Sequence, residues 1–227
     1  RRIAATTLGI TTPGVEGALS LLPDDRFEKT CFHANGTGGR CMETLILENR
    51  FDIIMDMTLH EITCELYGGY CSGAVGRLNV AAKAGIPMVV APGALDMQDF
   101  YIRQEMALPA EIMSRKHVYH NDTILHTRLP QEQALHAVDT VAERLNRAKG
   151  RVILLLPDEG FCEPSAKGNP MYDPACDAAM IRRFHRRIAP EVEIWDVPGS
   201  INGKNMMEAA AKAVLSLIET PHTCTTE

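Results

Sequence analysis

The sequence predicts an α/β fold: a three-layer, doubly wound, mainly parallel, six-stranded Rossmann-like sheet. Three observations carry this. Six β-prone, largely apolar runs alternate with helical segments, no hairpin signal joins any two of them, and polar residues gather just past their carboxyl ends. Strands that alternate with helices and lack hairpins must pair in parallel through right-handed crossovers, which lays helices on both faces. With 227 residues, 45% apolar and 23% charged, the chain is long enough for one domain with a substantial core. That domain is expected over 1–220, followed by a disordered tail at 221–227.

Residues 2–10 are β-prone and almost free of charge, as a strand buried on both faces requires, and end at Thr11-Thr12-Pro13-Gly14. A helix over 15–22 closes at Pro23. The second strand, 27–33, breaks into Ala34-Asn35-Gly36-Thr37-Gly38-Gly39-Arg40, and Cys41 leads a helix to about 49. A third strand at 51–57 runs into Thr58-Leu59-His60-Glu61 and a helix to 67. Gly68, Gly69 and Gly73 mark a loop, and 77–84 is helical with Gly85 as its stop. The fourth strand, 86–91, ends in Pro92-Gly93-Ala94-Leu95-Asp96. From 96 to 129 no clean period appears, and the segment holds His117, His120, Asn121, Asp122 and His126; such long irregular excursions are usually functional. Residues 130–149 form the clearest helix, between Pro130 and Gly150. Strands at 151–156 and 192–197 and helices at 174–189 and 204–220 complete the pattern.

In such a sheet ligands bind past the carboxyl ends of the strands, near the reversal of strand order. Thr11, Thr12, His33, Asn35, Gly36, Thr37, Gly38, Gly39, Arg40, Thr58, Glu61, Gly93 and Asp96 all follow strand ends. A glycine turn at a helix start exposes backbone N–H groups and the positive end of the helix dipole, so 36–40 is the expected anion receptor. The same glycines also suit a tight turn with close helix–sheet packing. Neither a Walker A ending nor the full dinucleotide spacing is present. Thr58 and Glu61 fit a capping box as well as a ligand role. His33, His60, Glu61, Asp96 and His120 are metal-compatible types without a recognised spacing, and Cys41 near a helix start is a candidate nucleophile or an inert thiol. No Gly-x-Ser-x-Gly elbow exists.

A net charge of −6 argues against general binding to a phosphate backbone. The Arg182, Arg183, Arg186 and Arg187 group spreads around a helix as a solvated face. Seven cysteines without a Cys-x-x-Cys pair read as reduced core thiols of a cytoplasmic protein, and no run reaches a membrane span or a signal peptide. The chain starts without Met and enters a strand at once, which suggests one domain of a longer protein.

Several ordered motifs carry a family resemblance: Gly9-Ile10-Thr11-Thr12-Pro13, the stretch 32–43, Asp56-Met57-Thr58-Leu59-His60-Glu61, the stretch 84–97, His120-Asn121, Leu156-Pro157, Tyr172-Asp173-Pro174 and Ile201-Asn202. Together they resemble the C-terminal domain of an uncharacterised bacterial, fungal and plant family, related to the ATP-binding inhibitory region of the tomato mosaic virus resistance protein. The resemblance implies a Rossmann-like domain preceded by an N-terminal α/β domain, cytoplasmic location, self-association, and ATP with Mg2+ as ligand. Where the family shows Thr-Thr-Thr-Glu, this chain has Thr58-Leu59-His60-Glu61, so only Thr58 and Glu61 match.

Three functions follow as expectations. A small anionic ligand, nucleotide-like, would sit on 36–40 with Thr11, Thr12, Thr58, Gly93, Asp96 and Asn121 around it. Alternatively, a hydrolase or lyase acting on a small carboxylate or phosphate would use Glu61 or His120 as its base. A third expectation is an assembly module that grips a partner through 96–129.

Overall fold

The structure, a computed structural model, describes residues 1–102 and 108–219; the tail expected to be disordered lies outside them. The first half of the chain runs β1 (Arg2–Thr7), α1 (Thr12–Ser20), β2 (Glu28–His33), α2 (Thr37–Leu47), β3 (Ile53–Asp56), α3 (His60–Tyr67), α4 (Asn79–Ala84) and β4 (Met88–Val90). It continues through β5 (Met97–Tyr101), α5 (Ala110–Met113), β6 (His117–Asn121), β7 (Ile124–Arg128), α6 (Gln131–Leu145), β8 (Val152–Pro157), α7 (Pro174–Arg187), β9 (Glu193–Val197) and α8 (Lys204–Glu219).

The main sheet has six strands in the order β2-β1-β3-β4-β8-β9, all parallel. From β1 the chain steps to β2 on one side and then to β3 on the other, so strand order reverses beside the carboxyl ends of β1 and β3. Side chains alternate across the sheet with period two. Ala4, Ile54, Val90 and Leu154 pack under α2, α3, α4, α6 and α7. Ile3, Ala5, Ile53, Met55, Val89, Ile153 and Leu155 pack under α1 and α8. Both faces are covered, which is why the central strands are apolar throughout and the fold has three layers.

The irregular excursion expected over 96–129 is in large part regular. Met97–Tyr101, Ile124–Arg128 and His117–Asn121 form a second, antiparallel sheet in the order β5-β7-β6. Its 6–7 hairpin turns through Asn121, whose side-chain oxygen accepts from the Thr123 amide and hydroxyl, both at 2.9 Å. A hairpin was not expected because these strands are polar and the turn carries no glycine. A small apolar cluster, including Leu8, Ile10, Cys64, Cys71, Ala94 and Met97, with Val118 against it, packs this ribbon on the carboxyl edge of the main sheet.

Candidate functional site

The glycine turn is occupied by the protein's own carboxylate. Glu61, fully buried, accepts from the amides of Gly36 at 2.6 Å and Gly39 at 3.2 Å, at the head of α2. Those donors were expected to receive a ligand anion; instead Glu61 satisfies the orphan amides and the helix dipole. Its other oxygen is ion-paired to Arg77, which also reaches Asp56 at 2.5 Å and Glu43 at 3.5 Å. Burial works against the charge of Arg77, but Asp56, Glu61 and Glu43 outweigh it and hold the guanidinium protonated. Burial raises Glu43, partly offset by Arg77. Glu61, expected as a catalytic base, is therefore committed through both oxygens to the turn and to Arg77. The capping box is absent as well: α3 begins at His60 without a side-chain cap, because Glu61 caps α2 rather than its own helix.

The remaining glycines serve packing. A Cβ on Gly38 would overlap the His33 backbone carbonyl, and one on Gly93 would overlap that of Met57. Gly38→Ala is accordingly expected to destabilise the fold by about 1–3 kcal/mol through overpacking, measurable as a lower urea midpoint. Thr11 and Thr58, both fully buried, share a 2.8 Å hydroxyl–hydroxyl bond, and the Thr12 hydroxyl donates to the Leu8 carbonyl at 2.9 Å. These hydroxyl bonds lock the β1–α1 turn and tie it to the end of β3. Asp96 is buried against Arg128 at 2.5 Å, while Asn121 is spent on its hairpin turn. Thr37, Arg40 and Cys41 are exposed on α2 and line neither cavity described below. Cys31 and Cys41 also depart from the core thiols expected, since both are exposed.

An actual cleft lies between the β1 and β2 ends and the ribbon. Its inner part, about 130 Å³, is lined by residues that include Leu8, His33, Asn35, Cys71, Asp99, His120 and His126. An adjoining part of about 260 Å³ shares Ile10, His120 and His126 and adds Tyr119, Glu163 and Asn169. Of the expected site residues, Asn35 and His120 reach this cleft, together with His33. His120 is there because a β-bulge between Tyr119 and Asn121 inserts it as an unpaired residue, and bulges re-aim side chains in this way. Its ring stands 5.0 Å from that of His126. His126 is 6% exposed, its Nδ1 has no protein partner, and burial followed by the charge of His60 lowers its pKa to about 4. A neutral, under-satisfied imidazole thus faces the cavity.

Behind the cleft floor lies a group that sequence reasoning missed. His60 Nε2 is 3.1 Å from Asp99 Oδ2, and Cys71 Sγ donates to the same oxygen at 3.1 Å. Burial disfavours the imidazolium, yet Asp99 overrides it and lifts His60 to about 10, while His60 in turn holds Asp99 well below the usual carboxylate range. Hydrogen bonding to Cys64, then burial, raises the Cys71 thiol. His60 was weighed with His33, Glu61, Asp96 and His120 as metal-compatible types without a recognised spacing; of these, Glu61 and Asp96 are committed to arginines. The readable signal was His60 and Cys64 at i and i+4, which places both on one face of α3.

The fold and cleft define a doubly wound α/β domain with a histidine-lined cleft at its carboxyl edge. The chain belongs to the uncharacterised protein family UPF0261, whose C-terminal domain matches residues 1–218. It is similar to a UPF0261 protein of Clostridium tetani, 34% identical over 96% of this chain and 54% of that protein. It is also similar to the ToMV resistance protein Tm-1(GCR237) of Solanum lycopersicum, 28% identical over 95% of this chain and 28% of that one. The chain therefore spans about half, or less, of the length of these relatives. Among solved structures, E-2-(acetamidomethylene)succinate hydrolase aligns at 12% identity with a TM-score of 0.45, over 96% of this chain and 91% of that one. Among the described residues no helix is long and apolar enough to cross a membrane.

Proposed function

We propose that this domain binds a small carboxylate in the cleft between the β1 and β2 ends and the ribbon. The observation that carries the reading is His126, buried and neutral, which lines a cavity with His33, Asn35 and His120 and whose Nδ1 has no protein partner. Leaving such a group unpaired costs about 1–3 kcal/mol, which a bound polar ligand recovers. The two parts of the cleft together reach the low end of the ~300–1,000 Å³ range of small-molecule sites.

The charge of the lining argues for carboxylate over nucleotide. Among the described residues no Lys or Arg lines either part, so there the roughly four negative charges of ATP would lack a counter-charge. The α2 head, the expected phosphate seat, is filled by Glu61. The donor set therefore does not fit ATP with Mg2+. An enzymatic version of the same site, a hydrolase or lyase of a small carboxylate, keeps His120 and His126 facing the ligand and dispenses with Glu61.

A thermal-shift screen of small mono- and dicarboxylates, with ATP and Mg2+ alongside, tests this. A true ligand at about 100 times its Kd stabilises the fold by about 2.7 kcal/mol. The expected result is a shift with a carboxylate that disappears in His126→Phe, and none with ATP. A shift with ATP alone, no shift across the panel, or a carboxylate shift indifferent to His126→Phe would overturn it.

A further inference from the structure

We infer that His60, Cys71 and Asp99 form a three-ligand site for a borderline-soft divalent transition ion of the Zn2+ type, its fourth coordination position opening on the cleft. Their candidate ligand atoms, an imidazole nitrogen, a thiol sulfur and a carboxylate oxygen, all lie within 4.8 Å of one another. Metal–ligand bonds of about 2.0–2.3 Å in tetrahedral geometry set ligand atoms roughly 3.3–3.8 Å apart. The two 3.1 Å separations to Asp99 Oδ2 need only a few tenths of an ångström of opening.

The surroundings are those of a supported site. His60 Nδ1 is held by the Ala94 carbonyl at 3.3 Å and the Thr63 hydroxyl at 3.1 Å, which leaves Nε2 aimed at the cluster. Metal-bound imidazoles are ordinarily fixed through the other ring nitrogen in this manner. Asp99 Oδ1 accepts from the Tyr70 amide at 2.7 Å, which orients Oδ2 toward the other two ligands. Cys71 and Asp99 line the inner cleft while His60 is fully buried behind them, so the open direction faces the cavity. An independent observation points the same way: His126, paired across the ribbon from Asp99, lines that cavity and keeps a buried ring nitrogen without a protein partner.

A thiolate, an imidazole and one carboxylate favour Zn2+, Co2+ or Fe2+ over Mg2+ and Ca2+, which prefer oxygen donors throughout. Binding exchanges protons for the ion: the Cys71 thiol proton and the proton between His60 and Asp99 are released, leaving a thiolate, an imidazole nitrogen and a carboxylate as ligands. This deepens the carboxylate reading on which it rests, since a ligand carboxylate could occupy the fourth position.

Titrating the chelator-treated, full-length protein with Co2+ tests the site. The expected result is one equivalent bound, with a sulfur-to-cobalt charge-transfer band, intense tetrahedral visible bands, displacement by Zn2+ and indifference to excess Mg2+. Cys71→Ser should abolish the charge-transfer band and Asp99→Asn weaken Co2+ binding at least about tenfold, while Cys31→Ser and Cys64→Ala leave the spectrum intact. Folded wild-type protein without the band at one equivalent overturns the site, whatever the variants do. A band that survives Cys71→Ser overturns the ligand assignment, and one lost in Cys64→Ala overturns the open position. The carboxylate screen repeated with and without Zn2+ separates the readings. A carboxylate shift without Co2+ binding sinks only the metal site, whereas Co2+ binding without any carboxylate shift sinks only the ligand.

Discussion

Arg77→Met is expected to lower the unfolding free energy by about 3–5 kcal/mol, the range for removing one partner of a buried ion network. Arg77 is completely buried and faces Asp56 from β3, Glu61 from α3 and Glu43 from α2. Its own carbonyl accepts from Arg144 of α6 at 3.2 Å, so four elements meet at this side chain and the loop that bears it. Methionine fills much of the volume but leaves the acids uncompensated in low dielectric, where an unpaired charge costs several kcal/mol. The loss should appear as a lower urea midpoint at unchanged slope, because the surface exposed on unfolding stays the same. Replacing Asp56 and Glu61 by Asn and Gln together with Arg77→Met should recover part of it, since a neutral cluster lacks the stranded charges. Arg77→Met within 1 kcal/mol of wild type would mean that the α2 amides alone suffice for Glu61, and that the network does not organise the turn.

The main sheet was legible because its determinants are local and repetitive. The strands around Ile3–Ala5, Ile53–Met55 and Leu154–Leu156 are apolar on both faces, and Gly85, at φ +72°, ends its helix where expected. The ribbon was not legible because β6 is largely exposed and its pairing is interrupted by a bulge, which destroys the alternation that marks a strand. The rim was located but its roles were inverted. Glycine amides at a helix start point to an anion at α2; they cannot say whether the anion is a ligand or Glu61, because the partners are 22 and 25 residues apart. Cys71 and Asp99 stayed hidden for the same reason: they meet His60 only through long-range packing, 28 residues from each other in the chain.

Arg128→Met is the second large effect expected, again about 3–5 kcal/mol, and its consequence is more local. Arg128 ends β7, is 3% exposed, and bridges Asp96, in the loop after β4, to Asp177 on α7. Asp177 shows what the arginine offsets: burial first, then Asp96, raise its pKa to about 6 even with Arg128 in contact. Without the guanidinium, two carboxylates remain in one buried pocket, and the cheapest relief is for the ribbon to part from α7. Hydrogen exchange should then show lost protection in β5 and β7 while β1 and β3, in the middle of the main sheet, keep theirs. Because Asp99 and His126 sit on those two ribbon strands, carboxylate binding should fall with the protection. A variant that loses stability uniformly, with ribbon and sheet exchanging together, would show that Arg128 supports the global core and not the wall of the cleft.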